Sequence, residues 1–577
     1  MQQYLLESRA ALRRLPFGLS DVAVILGTLG LITLVAKVGS GALVAFTPPK
    51  VVPAVDLDPH HLPYYAARST LRMFVALAAS FAFTFVYGYA AARSRYAERV
   101  LVPLLDILQS VPVLGFLSIT VTGFIALFPG SLLGLECASI FAIFTSQAWN
   151  MAFSFYQSLR TLPQDLNEAT IAYRLPLWQR FVRLEAPAGM IGLVWNAMMS
   201  FGGGWFFLAA SEAISVLNQS YTLPGIGSFV AVAVTDQNMP ALGWAILTMA
   251  ITIVIVDQLF WRPIVAWADK FRLEQSAAAE PPRSWVYDLI RTSTIPAAVR
   301  RAWTPIGDAA TSALSAMTTV RSARPSGSGR TPVADVVYNA VLIVVVIVLI
   351  GLGLHFIATT VGFEEIGHVA LLGLATLTRV FILLIFGTLV WTPIGILIGL
   401  NPRLTRMLQP VALFCASFPA NFIFPFATLA FITYHIPIDF GSILLMALGA
   451  QWYLLFNAIA GGASIPTDLR EMTADIGARG WQRWRRLIIP AAFSSWVTGG
   501  ITASGGAWNA SIVSEIVTWG HTTLTATGLG AYIADATGKG DWPRITLGVG
   551  MMSIYVVIIN RVVWRRLYAL AERKYHL

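Results

Sequence analysis

Four carboxylates stand out in a chain that has few charges. Glu168 and Glu471 lie in polar segments rich in Arg and Trp, whereas Glu212 and Glu515 close long apolar runs; each pair is 303 residues apart. None sits in a pattern suited to covalent chemistry. The sequence holds no nucleophile–base motif, no His/Asp/Glu/Cys group at metal-ligand spacing and no G-x-x-x-x-G-K-[ST] phosphate loop. Its two cysteines, Cys137 and Cys415, fall in separate apolar runs, which suggests neither a disulfide framework nor a metal site. Such carboxylates can still pair with a cation, cap a helix or dock on a basic surface, and the elements around them decide which.

Composition defines those elements. Of 577 residues, 56% are hydrophobic and 12% charged, with a mean hydropathy of +0.68. A soluble core stops growing near about 250–300 residues, so the apolar excess must face lipid. Apolar stretches predict spans near 22–46, 70–90, 100–128, 136–156, 188–212 and 241–261, then near 335–359, 369–399, 408–434, 440–460, 491–516 and 544–564. Alternate segments between them carry 31 of the 39 Lys and Arg, while the other side holds Lys50, Arg68, Lys539 and Arg544. By the positive-inside rule both termini lie in the cytoplasm, and the net charge of +10 faces anionic lipid headgroups rather than nucleic acid. The basic N-terminal segment has no small-residue cleavage site after a short apolar core and is read as retained.

The two sets of spans are repeats. Pro163, Asp165, Leu166 and Glu168 recur at an offset of 303 as Pro466, Asp468, Leu469 and Glu471. Trp178-Gln179-Arg180, Pro187, Trp205, Glu212, Gly225, Gly227 and Trp261 recur likewise, and Pro103, Ser110 and Pro112 recur at 307. The expected fold is therefore an all-α polytopic membrane protein with about twelve transmembrane helices in two parallel tandem six-helix repeats. The first repeat covers 1–262 and the second 335–577. A Pro-, Ala-, Ser- and Thr-rich linker, 263–334, joins them; Trp285, Val286, Leu289 and Ile290 have helical spacing within it. Six spans per repeat place equivalent loops on one side of the membrane, unlike the inverted repeats of many secondary transporters.

The loops LPQDLNEATIAYRLPLWQRFVRLEAP and IPTDLREMTADIGARGWQRWRRLIIP each begin with Pro and an Asp suited to a helix start, which predicts two short helices on the cytoplasmic face. They resemble the EAA loop of ATP-binding-cassette importer permeases. Glu168, Ala169 and Pro187 fit that pattern in one copy, and Glu471, Gly477 and Pro490 in the other. Arg174 replaces the family's Gly in the first copy, and Met472 and Thr473 replace its alanines in the second, so the two contacts are expected to differ. The resemblance implies coupling helices that insert into two copies of a separate ATPase subunit, which carries the ATP and magnesium; no cofactor is expected on this chain. The runs from Trp205 to Gly227 and from Trp508 to Gly530 resemble permeases for nitrate, sulfonate, taurine and bicarbonate. That implies a bacterial inner-membrane importer fed by an external binding protein. An ion-gradient-driven secondary transporter is the alternative.

A path for the solute is expected between the halves, along the spans that begin near 188 and 491. Gly202, Gly203 and Gly204 match Gly505 and Gly506 in depth, and either let these helices pack closely or form a gate. Trp205, Ser504, Trp508, Asn509 and Ser511 are candidate path residues, the hydroxyl, amide and indole groups as neutral donors. Glu212 and Glu515 are placed at the outer end of the path, where ion pairing or capping is the favoured role. Arg379 and Lys37 are read as cations that snorkel.

Overall fold

The computed structural model describes residues 54–271, 284–293 and 359–574, apart from 111, 129 and 217–218, with isolated positions between 304 and 355. Lys37, the span expected at 22–46, almost all of that at 335–359 and most of the linker lie outside the described residues. The remainder is two copies of one helical pattern. In the first, α1 (Leu62–Arg93) leads through α2 (Arg95–Ser110) and α3 (Leu117–Leu127) to α4 (Leu133–Arg160), and a short α5 (Gln164–Ala172) precedes α6 (Ala186–Glu212). Strands β1 (Ala213–Val216) and β2 (Gln219–Thr222) then lead to α7 (Ile226–Thr235) and α8 (Met239–Val256). The second copy repeats this order as α9 (Phe363–Gly399), α10 (Pro402–Ser417), α11 (Phe424–Thr433), α12 (Ile438–Ala463), α13 (Thr467–Asp475) and α14 (Ile489–Ser514). It ends with β3 (Ile516–Trp519), β4 (Thr522–Thr525), α15 (Leu529–Lys539) and α16 (Trp542–Ile559).

Among the described residues, seven helices are long and apolar enough to cross a membrane. Part of the difference from twelve is one of coverage, and the rest has physical causes. Two expected spans lie outside the described residues. The runs at 100–128 and 408–434 are each broken at a proline: Pro112 is itself extended at φ −67°, ψ 119°, and Pro419 holds the preceding Phe418 out of the helical region at φ −71°, ψ 127°. A 3₁₀ turn follows in each copy, Val113–Phe116 and Ala420–Phe422. Finally, α4 has the length, at 28 residues, but Glu136, Gln147, Asn150 and Gln157 lower its hydropathy.

Each half lends its broken segment to the other's core. Val113, Leu114 and Leu117 pack with Trp508, Leu529 and Ile533 of the second half, while Phe422, with Phe414 and Phe418 beside it, joins Phe201, Trp205 and Phe229 of the first. Non-helical backbone at membrane depth survives only where protein or a cavity surrounds it, which is where both turns sit.

The fold is all-α as expected, with two short antiparallel hairpins added. Ala213 pairs with Thr222 and Val216 with Gln219; Ile516 pairs with Thr525 and Trp519 with Thr522. The hairpins also cross between halves: Gly520 N–H donates to the Val234 carbonyl of α7 at 3.1 Å. In the loops the two short helices are α5 and α13. The basic-aromatic turn after each runs through a π-helical turn, Phe181–Glu185 or Trp484–Ile488, straight into α6 or α14. Asp468 lies inside the first turn of α13, with Pro466 at the cap position. The Trp285–Thr292 stretch of the linker is helical, capped by Ser284 Oγ accepting from Tyr287 N–H, and it packs on the Arg262–Ala268 segment.

Candidate functional site: a neutral cavity between two clamps and two short exposed helices

A cavity of about 400 Å³ lies between the halves, walled chiefly by α4, α6, α12 and α14. Among the described residues no charged side chain lines it; the polar groups are amides and hydroxyls such as Gln109, Asn150, Asn196, Asn457, Thr502 and Ser504. Gly202, Gly203, Gly505, Gly506 and Asn509 also line it. The glycines do not act alike. A Cβ on Gly202 would meet Ser417 Oγ at 2.6 Å and one on Gly203 would meet Tyr453 Oη at 3.0 Å, so both serve close contact between the halves. A Cβ on Gly505 would meet nothing within 4 Å, because it opens on the cavity.

Many of the lining groups are engaged locally. Asn509 Nδ2 donates to the Gly505 carbonyl, and its Oδ1 accepts from Val113 N–H at 3.0 Å, which pins the broken segment of the first half to α14. Thr498 and Thr502 donate to carbonyls of their own helix.

Several expected path residues lie elsewhere. Gly204 packs against Gln147 and Met73. Trp205 is buried beside Phe201, and Trp508 is 1% exposed and stacks on Tyr555, so neither indole faces this cavity. Ser511 is buried and donates to the Trp508 carbonyl. Phe206, at the position equivalent to Asn509, leaves the first half's wall aromatic there.

Glu212 and Glu515 lie off the cavity, at the end of the molecule opposite α5 and α13, in two buried ion networks. Glu212 Oε1 accepts from Arg72 Nη1 and from Ser69 Oγ, both at 2.6 Å, and Oε2 accepts from Gly227 N–H at 2.7 Å. Arg72 also reaches Glu136 Oε1 at 2.8 Å and the Pro224 carbonyl, and Arg68 pairs with the same Glu136. In the second half Arg379 Nη1 and Thr376 Oγ1 donate to Glu515 Oε1 at 2.9 and 2.7 Å, and Gly530 N–H donates to Oε2 at 2.8 Å. Arg379 also pairs with Asp439. Arg379 is thus 6% exposed and fully engaged rather than snorkelling. The carboxylates press against backbone: a Cβ on Gly225 or Gly528 would meet Glu212 or Glu515 carboxylate atoms at 2.3 or 2.2 Å. Each network clamps a hairpin and a short helix, α7 or α15, onto α1 or α9. Arg72 and Arg379, Ser69 and Thr376, and Glu136 and Asp439 stand at the repeat offsets, a signal that could have found them alongside the two glutamates.

At the basic end, α5 and α13 expose Glu168, Ala169 and Glu471. Each helix finishes in an uncovered apolar tip, Tyr173 at 80% exposure and Ile476 at 66%. The next residue has a left-handed backbone in both copies: Gly477 at φ 71° and Arg174 at φ 48°. That geometry is why glycine suits this position. Pro187 and Pro490 lie in the first turn of α6 and α14.

These features define a helical membrane protein of two homologous halves around a neutral cavity, with a pair of short exposed helices at one end. The chain belongs to the family described as the inner membrane component of binding-protein-dependent transport systems, which it matches twice, over residues 84–260 and 391–576. It is similar to the "Bicarbonate transport system permease protein CmpB" of Synechococcus elongatus, with 28% identity over 190 residues, covering 33% of this chain and 65% of that one. The "Nitrate import permease protein NrtB" of Leptolyngbya laminosa is 23% identical over 189 residues, 33% of this chain and 64% of its own. The matches thus span less than two thirds of either relative.

Proposed function

We infer that the chain is a fused permease of an ATP-driven importer, spanning the bacterial inner membrane with both termini in the cytoplasm. Its repeats, 1–262 and 335–577, are joined by the 263–334 linker. Two ATPase subunits, carrying ATP and magnesium, dock on α5 and α13, and an external binding protein delivers the solute. The observation that carries this reading is the pair of short helices at one end, each offering an exposed glutamate beside an uncovered apolar tip. An apolar centre with a charged margin is the usual make-up of a specific docking surface. The relatives' bicarbonate and nitrate point to a small anion as solute. The neutral, loosely bonded cavity suits transient passage of such an ion without trapping it on a fixed cation.

Charge reversal tests it: the chain carrying Glu168→Arg and Glu471→Arg should still insert but lose co-purifying ATPase and ATP-driven uptake of labelled bicarbonate or nitrate. Unchanged ATPase binding and uptake would overturn the coupling role.

A further inference from the structure

The two docking helices are tied to the membrane-spanning helices by different chemistry. In the first half, Arg180 Nη2 donates to Asn167 Oδ1 on α5 at 2.7 Å, and Arg180 Nε donates to Glu185 Oε1 at 2.9 Å. The same Glu185 oxygen takes Arg93 from the last turn of α1. Glu185 is 3% exposed, inside the π-helical turn that leads into α6. Phe181 of that turn packs edge-on against Tyr89 and Phe85 of α1 and holds the junction in register.

By the repeat offsets, Asn167, Arg180, Glu185 and Arg93 correspond to Arg470, Arg483, Ile488 and Leu400. No carboxylate remains. Ile488 lies in an apolar cluster with Ile396 and Leu487, the buried Arg483 Nε has no partner, and Arg470 donates to the Leu400 carbonyl at 3.0 Å.

We propose that Glu185 is a positioning residue that carries motion of α5 to the end of α1 through an Arg180–Glu185–Arg93 ionic strut, while in the second half, among the described residues, the corresponding link is the Arg470–Leu400 backbone hydrogen bond and apolar packing. A hydrogen-bonded carboxylate shared by two guanidiniums resists bending and shear, because each bond to an ionised partner is strong and directional. Apolar packing is non-directional and lets the parts slide. The first half therefore responds as a rigid lever and the second with play. This rests on the docking of ATPases at α5 and α13.

Hydrogen exchange on the full chain in nanodiscs, alone and with its co-expressed ATPase trapped by ATP and vanadate, separates the two ideas. In the chain alone, Glu185→Gln and Asn167→Ala should each speed exchange over Gln164–Ala172 by about tenfold and leave Thr467–Asp475 unchanged. Glu185→Asp should restore most of the protection. In the trapped complex, α1 near Tyr89–Arg93 should change its exchange in the original chain and fail to do so with Glu185→Gln, while the end of α9 still responds. Asn167→Ala, which leaves both Glu185 pairs in place, serves if Glu185→Gln does not fold. Unaltered α5 exchange, or an α1 response that survives the cut, would overturn the strut. Loss of ATPase protection at both α5 and α13 in the original chain would overturn the docking reading and the strut's role with it.

Discussion

At one end of the molecule the two halves solve a problem with nearly the same groups; at the other they do not. Both outer networks place a buried glutamate against an arginine, a hydroxyl and a helix N-terminus. At the basic end an ionic strut in one half faces an apolar cluster in the other. The difference follows from how each junction is held. A clamp that buries a charge tolerates few replacements, because a lone charge left in protein is costly. At the junction, Glu185 and Arg93 are exchanged together for Ile488 and Leu400, so packing replaces the ion pair with no carboxylate left unpaired.

Even the similar pair differs in one respect that can be broken experimentally. Glu136 is 5% exposed and takes two arginines, whereas its counterpart Asp439 is half exposed and takes one. Glu136→Ala should destabilise the protein by about 3–5 kcal/mol, since it strands Arg68 and half of Arg72 in the interior. Asp439→Ala should cost about 1 kcal/mol, because water already screens that pair. Thermal unfolding in detergent measures both; equal losses would erase the distinction between the clamps.

The cavity offers a second contrast. Gly505→Trp fills open space, so it should abolish uptake while assembly with the ATPase and thermal stability stay near the original. Gly505→Ala should change stability by less than about 0.5 kcal/mol, whereas Gly202→Ala should cost about 1 kcal/mol because Ser417 must move. An uptake assay beside an unfolding curve separates the two roles. If Gly505→Trp transports normally, the solute does not pass by this wall.

A further effect concerns the backbone after each short exposed helix. Arg174 adopts a left-handed conformation that costs a side-chain-bearing residue about 1–2 kcal/mol locally. Arg174→Gly should therefore stabilise by about 1 kcal/mol, and Gly477→Ala should destabilise by a similar amount, both read from unfolding midpoints. Opposite signs at equivalent positions would sharpen the comparison; a loss from Arg174→Gly would show that its side chain has a role of its own.

Much of this site is legible in the linear chain, and what escapes has a physical cause. The doubled loops, their glutamates and the glycine at position 477 are visible because local spacing and internal repetition carry them. Arg72, Ser69 and Glu136 escape attention, although they too repeat, because their partners lie 64 to 157 residues away and a charge at the edge of an apolar run looks like a loop residue. Arg379 is misread for the same reason: snorkelling is the natural fate of a lone cation, and nothing nearby in sequence announces Glu515. Trp508 and Asn509 are adjacent yet point differently, one into the core and one to the cavity, because neighbouring positions on a helix are about 100° apart. The broken spans read as continuous because hydropathy sums over Pro112 and Pro419 without registering the turn.

The sequence by itself determined that this is a membrane protein made twice over, which side carries its basic residues, and which loops stand in for one another. Those properties are sums over composition and comparisons along one dimension. Only the tertiary structure decided that each half's broken segment completes the other's core, that the outer glutamates clamp hairpins rather than line a path, and that the two short exposed helices are tied down differently. Each of these depends on a distance between residues far apart in the chain, and such distances exist only once the helices have packed.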